Sequence, residues 1–430
     1  MDGPSNDGDK PADLQPKRTV GFWGSALFQL NGMIGSGIFA LPAVLAAAVG
    51  SFAPVMMLLG GVIFLPLVLV FAWLAARFDG TGGPILYGKA AFGDFVGFQA
   101  GWGRYASGMV AMAANTYVMV AYFATLFPVL EEPAYATAAV IVTILAFTVI
   151  NLFSMRQSVN TLGGLTVLKL VPLAVLIGAA MFGSFTAPTV TLPQFSEVES
   201  IVLLLFYAFI GFEGVTVPAG EGRDPKRDIP RVLVTVLAGV TLLYAVIIWA
   251  YLTIAPPQAE ELSALAAAGQ TALGDWGALM IVLCAGFSIA ANSFGGIIIV
   301  PRMAYGMAQQ GMLPAWFARV HPRFLTPSNS IVFYGVFSCL FALWDGFVAL
   351  AAASTLSRLL TYVISAAALP VIERREDTVH WGRNVVAGLA IVASVWIASH
   401  ASGEAWQMFG ALLVLGTVLY FVARRRTADS

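Results

Sequence analysis

Long apolar runs, separated by short polar segments, repeat along most of the chain. A bilayer core needs about twenty consecutive apolar residues per helix, and windows of that length predict about twelve spanning helices. They lie near 22–48, 52–76, 95–127, 134–153, 162–184, 199–220, 231–254, 277–308, 329–344, 347–371, 384–400 and 405–423. The runs are continuous rather than alternating, which argues against a β-barrel. We therefore predict an all-α polytopic membrane protein.

The basic residues between these spans follow a regular alternation. Lys and Arg precede the first span and follow every even-numbered span, whereas the intervening loops contain neither. These basic residues include Lys10, Lys17, Arg18, Arg77, Lys89, Arg156, Arg223, Lys226, Arg227, Arg302, Arg374, Arg375, Arg383 and Arg424. Because positive loops stay in the cytoplasm, the pattern predicts cytoplasmic termini and a location in the cell (plasma or inner) membrane.

Composition narrows the class of protein further. Hydrophobic residues make up 59% of the chain and charged residues only 10%, against roughly 25% charged in soluble domains. The net charge of −1 argues against a nucleic-acid partner. Residues 1–20 and 424–430 are polar and are predicted to be cytoplasmic tails, the first of them disordered and without the apolar core of a signal peptide.

The sequence shows no arrangement of residues that is typical of an enzyme active site or a metal centre. The three histidines, His321, His380 and His400, share no metal-ligand spacing. The predicted spans contain no paired acids and no nucleophile–base pair. We therefore predict a protein that is not an enzyme and needs no metal or cofactor. A channel is disfavoured because channels usually repeat a pore-lining segment around an axis.

Two predicted spans are interrupted near their middle by glycines flanking polar residues. The first contains Asn-Gly-Met-Ile-Gly-Ser-Gly at 31–37, and the sixth contains Gly-Phe-Glu-Gly at 211–214. They lie five spans apart, and five is odd, so two five-helix halves would have opposite orientations in the membrane. Paired interrupted segments in inverted repeats are typical of transporter binding sites.

The physical reason is that an interruption frees backbone groups in a dry environment, where a polar substrate can satisfy them. Half-helix amino termini suit an anion, and freed carbonyls suit an ammonium group. A zwitterionic amino acid matches both. The alternative is that the glycines only allow close helix packing.

Four segments in order resemble the amino acid–polyamine–organocation (APC) transporters over nearly the whole chain. They are Gly35-Ser36-Gly37-Ile38-Phe39-Ala40-Leu41-Pro42; Thr81-Gly82-Gly83-Pro84 with Tyr87, Phe92 and Gly93; Gly211-Phe212-Glu213 followed by Asp224-Pro225-Lys226-Arg227; and Tyr305 through Gly311-Met312-Leu313-Pro314. The resemblance implies a LeuT-type fold with a ten-helix core at 21–371, made of inverted repeats 21–184 and 199–371. Residues 372–423 would then form two accessory helices.

The resemblance also implies where substrate binds. The carboxylate would meet backbone N–H groups of Ser36, Gly37 and Ile38. The amine would meet carbonyls near Ile34 and in the sixth span. The full set implied by the resemblance is Ile34, Gly35, Ser36, Gly37, Ile38, Tyr207, Ala208, Phe209, Ile210 and Gly211, with Tyr207 and Phe209 as candidates for an aromatic gate.

Ionisable residues inside predicted spans are costly and tend to mark function. Lys169, in the fifth span, matches a lysine that replaces a bound sodium ion in some APC members. Desolvation opposes the charged form of a buried lysine, so Lys169 could couple transport to protons; alternatively it braces the first span or snorkels to the surface. For Glu213 we favour a structural or gating hydrogen bond over substrate contact. Arg104 and Arg358 have no assigned mechanism beyond packing on carbonyls or an acid.

The substrate prediction follows from the side chains around the interruptions. No acid other than Glu213 lies near the predicted midplane, so a polyamine would lack partners. The surrounding side chains are mostly small or apolar, which favours a neutral or apolar amino acid. Asn292 and Ser293 could bond substrate, but a bond to a neighbouring helix is favoured. We expect a secondary active transporter and leave its coupling to protons open; the alternative is an exchanger or exporter, including a basic amino acid/polyamine antiporter. The oligomeric state is left open.

Overall fold

The computed structural model describes residues 20–80, 82–153, 159–186, 189–254, 263–324, 326–344 and 346–428. Residues 1–19 of the predicted amino-terminal tail, Thr81, Arg156 and residues 429–430 therefore lie outside the described residues. In this part of the chain the fold is helical, with one isolated backbone bridge between Val20 and Gly222.

Fifteen α-helices form in the described residues. In order they are α1 (Phe22–Met33), α2 (Gly37–Val49), α3 (Ala53–Ala75), α4 (Pro84–Phe92), α5 (Asp94–Ala124), α6 (Pro133–Leu152), α7 (Val159–Phe182), α8 (Phe195–Tyr207), α9 (Pro225–Ile254), α10 (Ala264–Leu273), α11 (Asp275–Gln309), α12 (Ser328–Phe341), α13 (Phe347–Arg375), α14 (Trp381–Ser399) and α15 (Gly403–Ala428). Short 3-10 helices lie between these α-helices, at Gly50–Phe52, Pro128–Glu131, Phe212–Thr216, Ala219–Glu221 and Ala315–Ala318.

The polytopic all-α prediction is confirmed. Among the described residues, nine helical segments are long and apolar enough to cross a membrane, and one of these covers α2 and α3 together. The shorter apolar stretches include Thr166–Phe182 within α7 and all of α12. Ten of the twelve predicted spans each coincide with one of these α-helices. The first span coincides with the pair α1 and α2, and the sixth with α8 and the 3-10 helices at Phe212–Thr216 and Ala219–Glu221.

Two helices were not predicted. The first is α4, a short helix after the second span that packs on α5 and α13. The second is α10, which lies between the seventh and eighth spans and packs against α2 and α11. Both are too short to cross a bilayer at 1.5 Å per residue, so a search for spans does not detect them.

Spans that occupy equivalent positions in the two predicted halves contact each other. The helix α3 packs on α9, α5 on α11, and α6 on α12, while α1 packs on the 3-10 helix at Phe212–Thr216. In each pair the partners are five spans apart. The inverted repeats and their boundaries stay a prediction.

Candidate functional site

The first span is broken where the glycine-rich pattern predicted it. The helix α1 ends at Met33, and α2 begins at Gly37. The last carbonyls of a helix and the first N–H groups of the next have no partner within the helix, so a break in a dry environment needs partners from elsewhere.

Side chains from other helices satisfy the freed carbonyls. The Asn292 amide donates from Nδ2 to the carbonyl oxygens of Asn31 (3.0 Å) and Gly32 (2.8 Å). The Tyr244 hydroxyl donates to the Met33 carbonyl at 3.0 Å. Asn292 therefore bonds a neighbouring helix, as the sequence favoured, and it also borders the cavity described below.

Lys169 completes the carbonyl side of the break. Its ammonium Nζ lies 3.0 Å from the Ile34 carbonyl oxygen, which also accepts from Ser288 Oγ at 3.3 Å. Lys169 is 1% exposed and has no carboxylate partner among the residues that the structure describes. It lies against the broken backbone of the first span and does not snorkel to the surface.

The residues on the other side of the same break lie at a cavity. Ser36 and Gly37, at the start of α2, both border the central cavity. A Cβ atom on Gly37 would lie 3.2 Å from Cα of Ala208. The sixth span therefore approaches the start of α2 at backbone distance, and this leaves little room for any larger residue at position 37.

The sixth span is also broken, but its second half differs from the expectation. The helix α8 ends at Tyr207, and short 3-10 helices replace the expected second α-helical half. Gly211 has φ +108°, and a Cβ atom there would lie 2.4 Å from the Gly32 carbonyl oxygen. Only glycine fits this left-handed conformation at so short a distance from the other break.

Asn115, in the middle of α5, links the two breaks. Its Oδ1 accepts from Ser36 Oγ at 2.5 Å and from the Tyr207 hydroxyl at 2.8 Å. Its Nδ2 donates to Asn292 Oδ1 at 3.2 Å. One amide thus joins the first, third, sixth and eighth spans at the level of the breaks.

A cavity of about 110 Å³ lies between the breaks. Six of the ten predicted substrate-binding residues border it: Gly35, Ser36, Gly37, Tyr207, Ile210 and Gly211. Four do not: Ile34, Ile38, Ala208 and Phe209. Lys169 and Glu213 also lie outside its lining.

The two aromatic gate candidates are placed differently. Tyr207 borders the cavity, and its ring packs edge-on against Phe347 with centroids 5.6 Å apart. Phe209 is fully buried and packs on Phe64 and Tyr244, with centroids at 5.5 and 6.3 Å. Of the two candidates, only Tyr207 is positioned to contact a molecule in the cavity.

The cavity extends from the breaks toward one end of the bundle. On α11 its lining runs from Ala291 to Val300, and on α5 from Asn115 back to Arg104. On the other side of the breaks, the Tyr122 hydroxyl donates to the Phe39 carbonyl at 2.9 Å, and α10 covers α2. The cavity is therefore directed toward the end where α5 begins and α11 ends.

Glu213 forms a buried ionic cluster at that end of the cavity. Its Oε1 lies 2.5 Å from Arg358 Nη1 and 2.6 Å from Arg104 Nε. Its Oε2 accepts from the Tyr362 hydroxyl at 2.9 Å and from the Gly211 backbone N–H at 3.3 Å. Glu213 is fully buried. Its contacts join the second break to α5 and α13. Glu213 is also the acid partner that the sequence analysis considered for Arg104 and Arg358.

Comparison with known proteins agrees with this architecture. The family model for amino acid permeases matches residues 20–422. The chain belongs to the amino acid permease family.

Two relatives illustrate the range of similarity to this permease. An uncharacterized transporter of Mycobacterium tuberculosis is 32% identical over 345 residues, covering 78% of this chain and 75% of that protein. The branched-chain amino acid permease BcaP of Bacillus subtilis is 25% identical over 442 residues, covering 95% of this chain and 94% of that protein. An uncharacterized transporter of Mycobacterium bovis is likewise 32% identical over 345 residues, with the same coverage of both chains.

Seven polar residues of the permease that border the cavity were not among the predicted site residues. They are Asn31, Arg104, Asn115, Asn292, Ser293, Tyr334 and Arg358. Each was visible as a polar or charged residue inside an apolar span, which is the available sequence signal. Their partners could not be predicted, because the contacts join spans that are far apart along the chain.

Proposed function

We propose that this permease moves an amino acid across the cytoplasmic membrane by alternating access, with substrate bound in the cavity between the two breaks. The observation that carries the proposal is that Ser36 and Gly37, at the start of α2, border this cavity, whereas side chains of other helices bond the carbonyls on the other side of the break. The first N–H groups of α2 attract a carboxylate, because they are free donors at the positive end of the helix dipole.

We place the termini and the basic loops in the cytoplasm, following the charge alternation of the sequence. With that orientation, the cavity is directed to the cytoplasm, and the Tyr122–Phe39 contact closes the opposite side. The structure then corresponds to a cytoplasm-facing state. An outward-facing state would require the closed side to open while the cytoplasmic side closes.

We further propose that protons drive transport through Lys169. The support is its burial, its contact with the Ile34 carbonyl and the lack of a described carboxylate partner, since an unpaired buried ammonium is costly and can release its proton. Loss of the proton would weaken the bond to the broken first span. Exchange or export remains the alternative, because the architecture is the same.

The test is uptake of a panel of radiolabelled amino acids into sodium-free proteoliposomes with an imposed pH gradient, inside alkaline. We expect gradient-driven accumulation with the wild type. Lys169→Ala should lose net accumulation but retain exchange, whereas Lys226→Ala, at an exposed lysine outside the site, should behave as wild type. Uptake that requires preloaded amino acid in the wild type would indicate an exchanger, and an unchanged pH dependence in Lys169→Ala would remove the lysine from coupling.

The predicted preference for a neutral or apolar amino acid is tested separately from transport itself. This preference rests on the small and apolar side chains near the breaks and on the scarcity of acids, which argues against polyamines. BcaP is named for branched-chain amino acids, which fits that preference. However, Arg104 and Arg358 also border the cavity, and their positive charge favours an acidic substrate over a neutral one.

A further inference from the structure

Buried charges in the described part of the chain do not balance. The buried charged residues are Arg104, Lys169, Arg358, Glu213 and Glu373. Glu373 belongs to a separate cluster at the end of α13, where it pairs with Arg77 and Arg383 at 2.8 and 3.1 Å. Glu213 is then the one described buried carboxylate that faces the interior cations.

The imbalance is concentrated at the arginine pair. Glu213 neutralises one of the two guanidinium groups of Arg104 and Arg358. A guanidinium group does not lose its proton in a protein, so the second positive charge persists. A buried charge without a counter-charge costs a large amount of free energy. The site therefore favours the entry of an anion.

The uncompensated donors face the cavity. Arg104 and Arg358 both border it, whereas Glu213 does not. Arg358 uses Nε for Ser107 Oγ (2.8 Å) and Nη1 for Glu213. Arg104 contacts Glu213 through Nε. Among the described residues, both terminal nitrogens of Arg104 and Nη2 of Arg358 have no hydrogen-bond acceptor. Guanidinium groups bind carboxylates through such paired donors.

Resting on the proposed function, we propose that Arg104 and Arg358 form a subsite for a second carboxylate, carried on the side chain of the transported amino acid. The α-carboxylate would bind at the start of α2, and the side-chain carboxylate at the arginine pair. The permease would then select acidic amino acids over neutral ones.

The two proposed positions lie at different levels of the same cavity. Asn115, which bonds Ser36, and Ser107, which bonds Arg358, are eight residues apart on α5, so these two levels of the helix are about 12 Å apart at 1.5 Å per residue. A substrate bound at both levels needs a carboxylate at each end, and an acidic amino acid has this arrangement.

The test compares uptake of L-glutamate, L-glutamine and L-leucine by the purified permease in proteoliposomes. Glutamine has nearly the shape of glutamate but lacks the side-chain charge. We expect KM for glutamate to be at least tenfold lower than for glutamine in the wild type. Arg104→Gln should reduce that ratio at least tenfold, since the remaining Arg358–Glu213 pair is neutral. Arg302→Gln, at an arginine of α11 outside the cavity lining, should leave the ratio unchanged.

The outcomes separate the two proposals. Transport of glutamine or leucine without glutamate would overturn the acidic subsite and leave amino acid transport standing. Transport of none of a full amino acid panel would overturn both. If Arg104→Gln does not fold, Arg104→Lys keeps the charge but loses the paired donors, and an undiminished glutamate preference in that variant would contradict the paired-donor geometry. The wild-type ratio tests charge selection without any variant.

Discussion

Single side chains stabilise the two broken helices by supplying the partners that an unbroken helix would supply itself. Asn292, Tyr244 and Lys169 each donate to a carbonyl freed by the first break. Asn115 connects the start of α2 to the end of α8 through Ser36 and Tyr207. Because these bonds are buried, removing one partner leaves another polar group unsatisfied, which costs about 1–3 kcal/mol.

We predict that Asn115→Ala weakens amino acid binding at least tenfold, because it removes the group that positions Ser36 and Tyr207 at the cavity. Asn384→Ala, which removes the same kind of amide from α14, should have little effect. Substrate-dependent thermal stabilisation of the purified variants measures this directly. Equal stabilisation of wild type and Asn115→Ala would show that Asn115 does not organise the site.

Residue types were easier to predict from the sequence than their partners. Glu213, Arg104 and Arg358 are each identifiable as charges within apolar spans. Their association is not, because they lie on three different spans, and only the packing of α5 and α13 around the second break brings them together. The resemblance to APC transporters likewise identified Gly35 to Gly37 as site residues. It did not identify Asn115, whose role depends on contacts made across the bundle.

Helix elements follow the sequence closely where length and hydropathy determine them. Ten of the twelve predicted spans are continuous α-helices and the first and sixth are broken helices, since a bilayer segment must satisfy its backbone internally. The helices α4 and α10 escaped prediction because neither is long enough to span. The 3-10 geometry after α8 also escaped, because local glycine content signals a break without specifying the conformation that follows it.

The opposed breaks make a sharp prediction at Gly211. Its positive φ disfavours any side chain, and a Cβ atom would collide with the Gly32 carbonyl at 2.4 Å. We expect Gly211→Ala to reduce transport at least tenfold and to lower the melting temperature. Gly239→Ala, on α9 with nothing within 4 Å of the added Cβ, should transport normally. Wild-type transport by Gly211→Ala would contradict the close approach of the two breaks.

The whole molecule contains two broken spans, the first and the sixth, within a helix bundle that is closed on one side. Spans that are five apart along the chain contact each other, such as α3 with α9 and α5 with α11. The cavity lies at the centre of that arrangement and is directed to one end only. Alternating access requires this asymmetry to reverse during the transport cycle.

Counterflow in proteoliposomes tests the central claim most directly, because it needs alternating access and a substrate site but no coupling ion. Liposomes containing the purified permease are preloaded with one unlabelled amino acid, and a trace of the same labelled amino acid is added outside. We predict transient accumulation of label for at least one amino acid with the wild type, and none with Gly37→Val, whose added side chain would fill the space against Ala208. A folded wild-type protein that shows no counterflow with any standard amino acid, or undiminished counterflow in Gly37→Val, would contradict transport through this cavity.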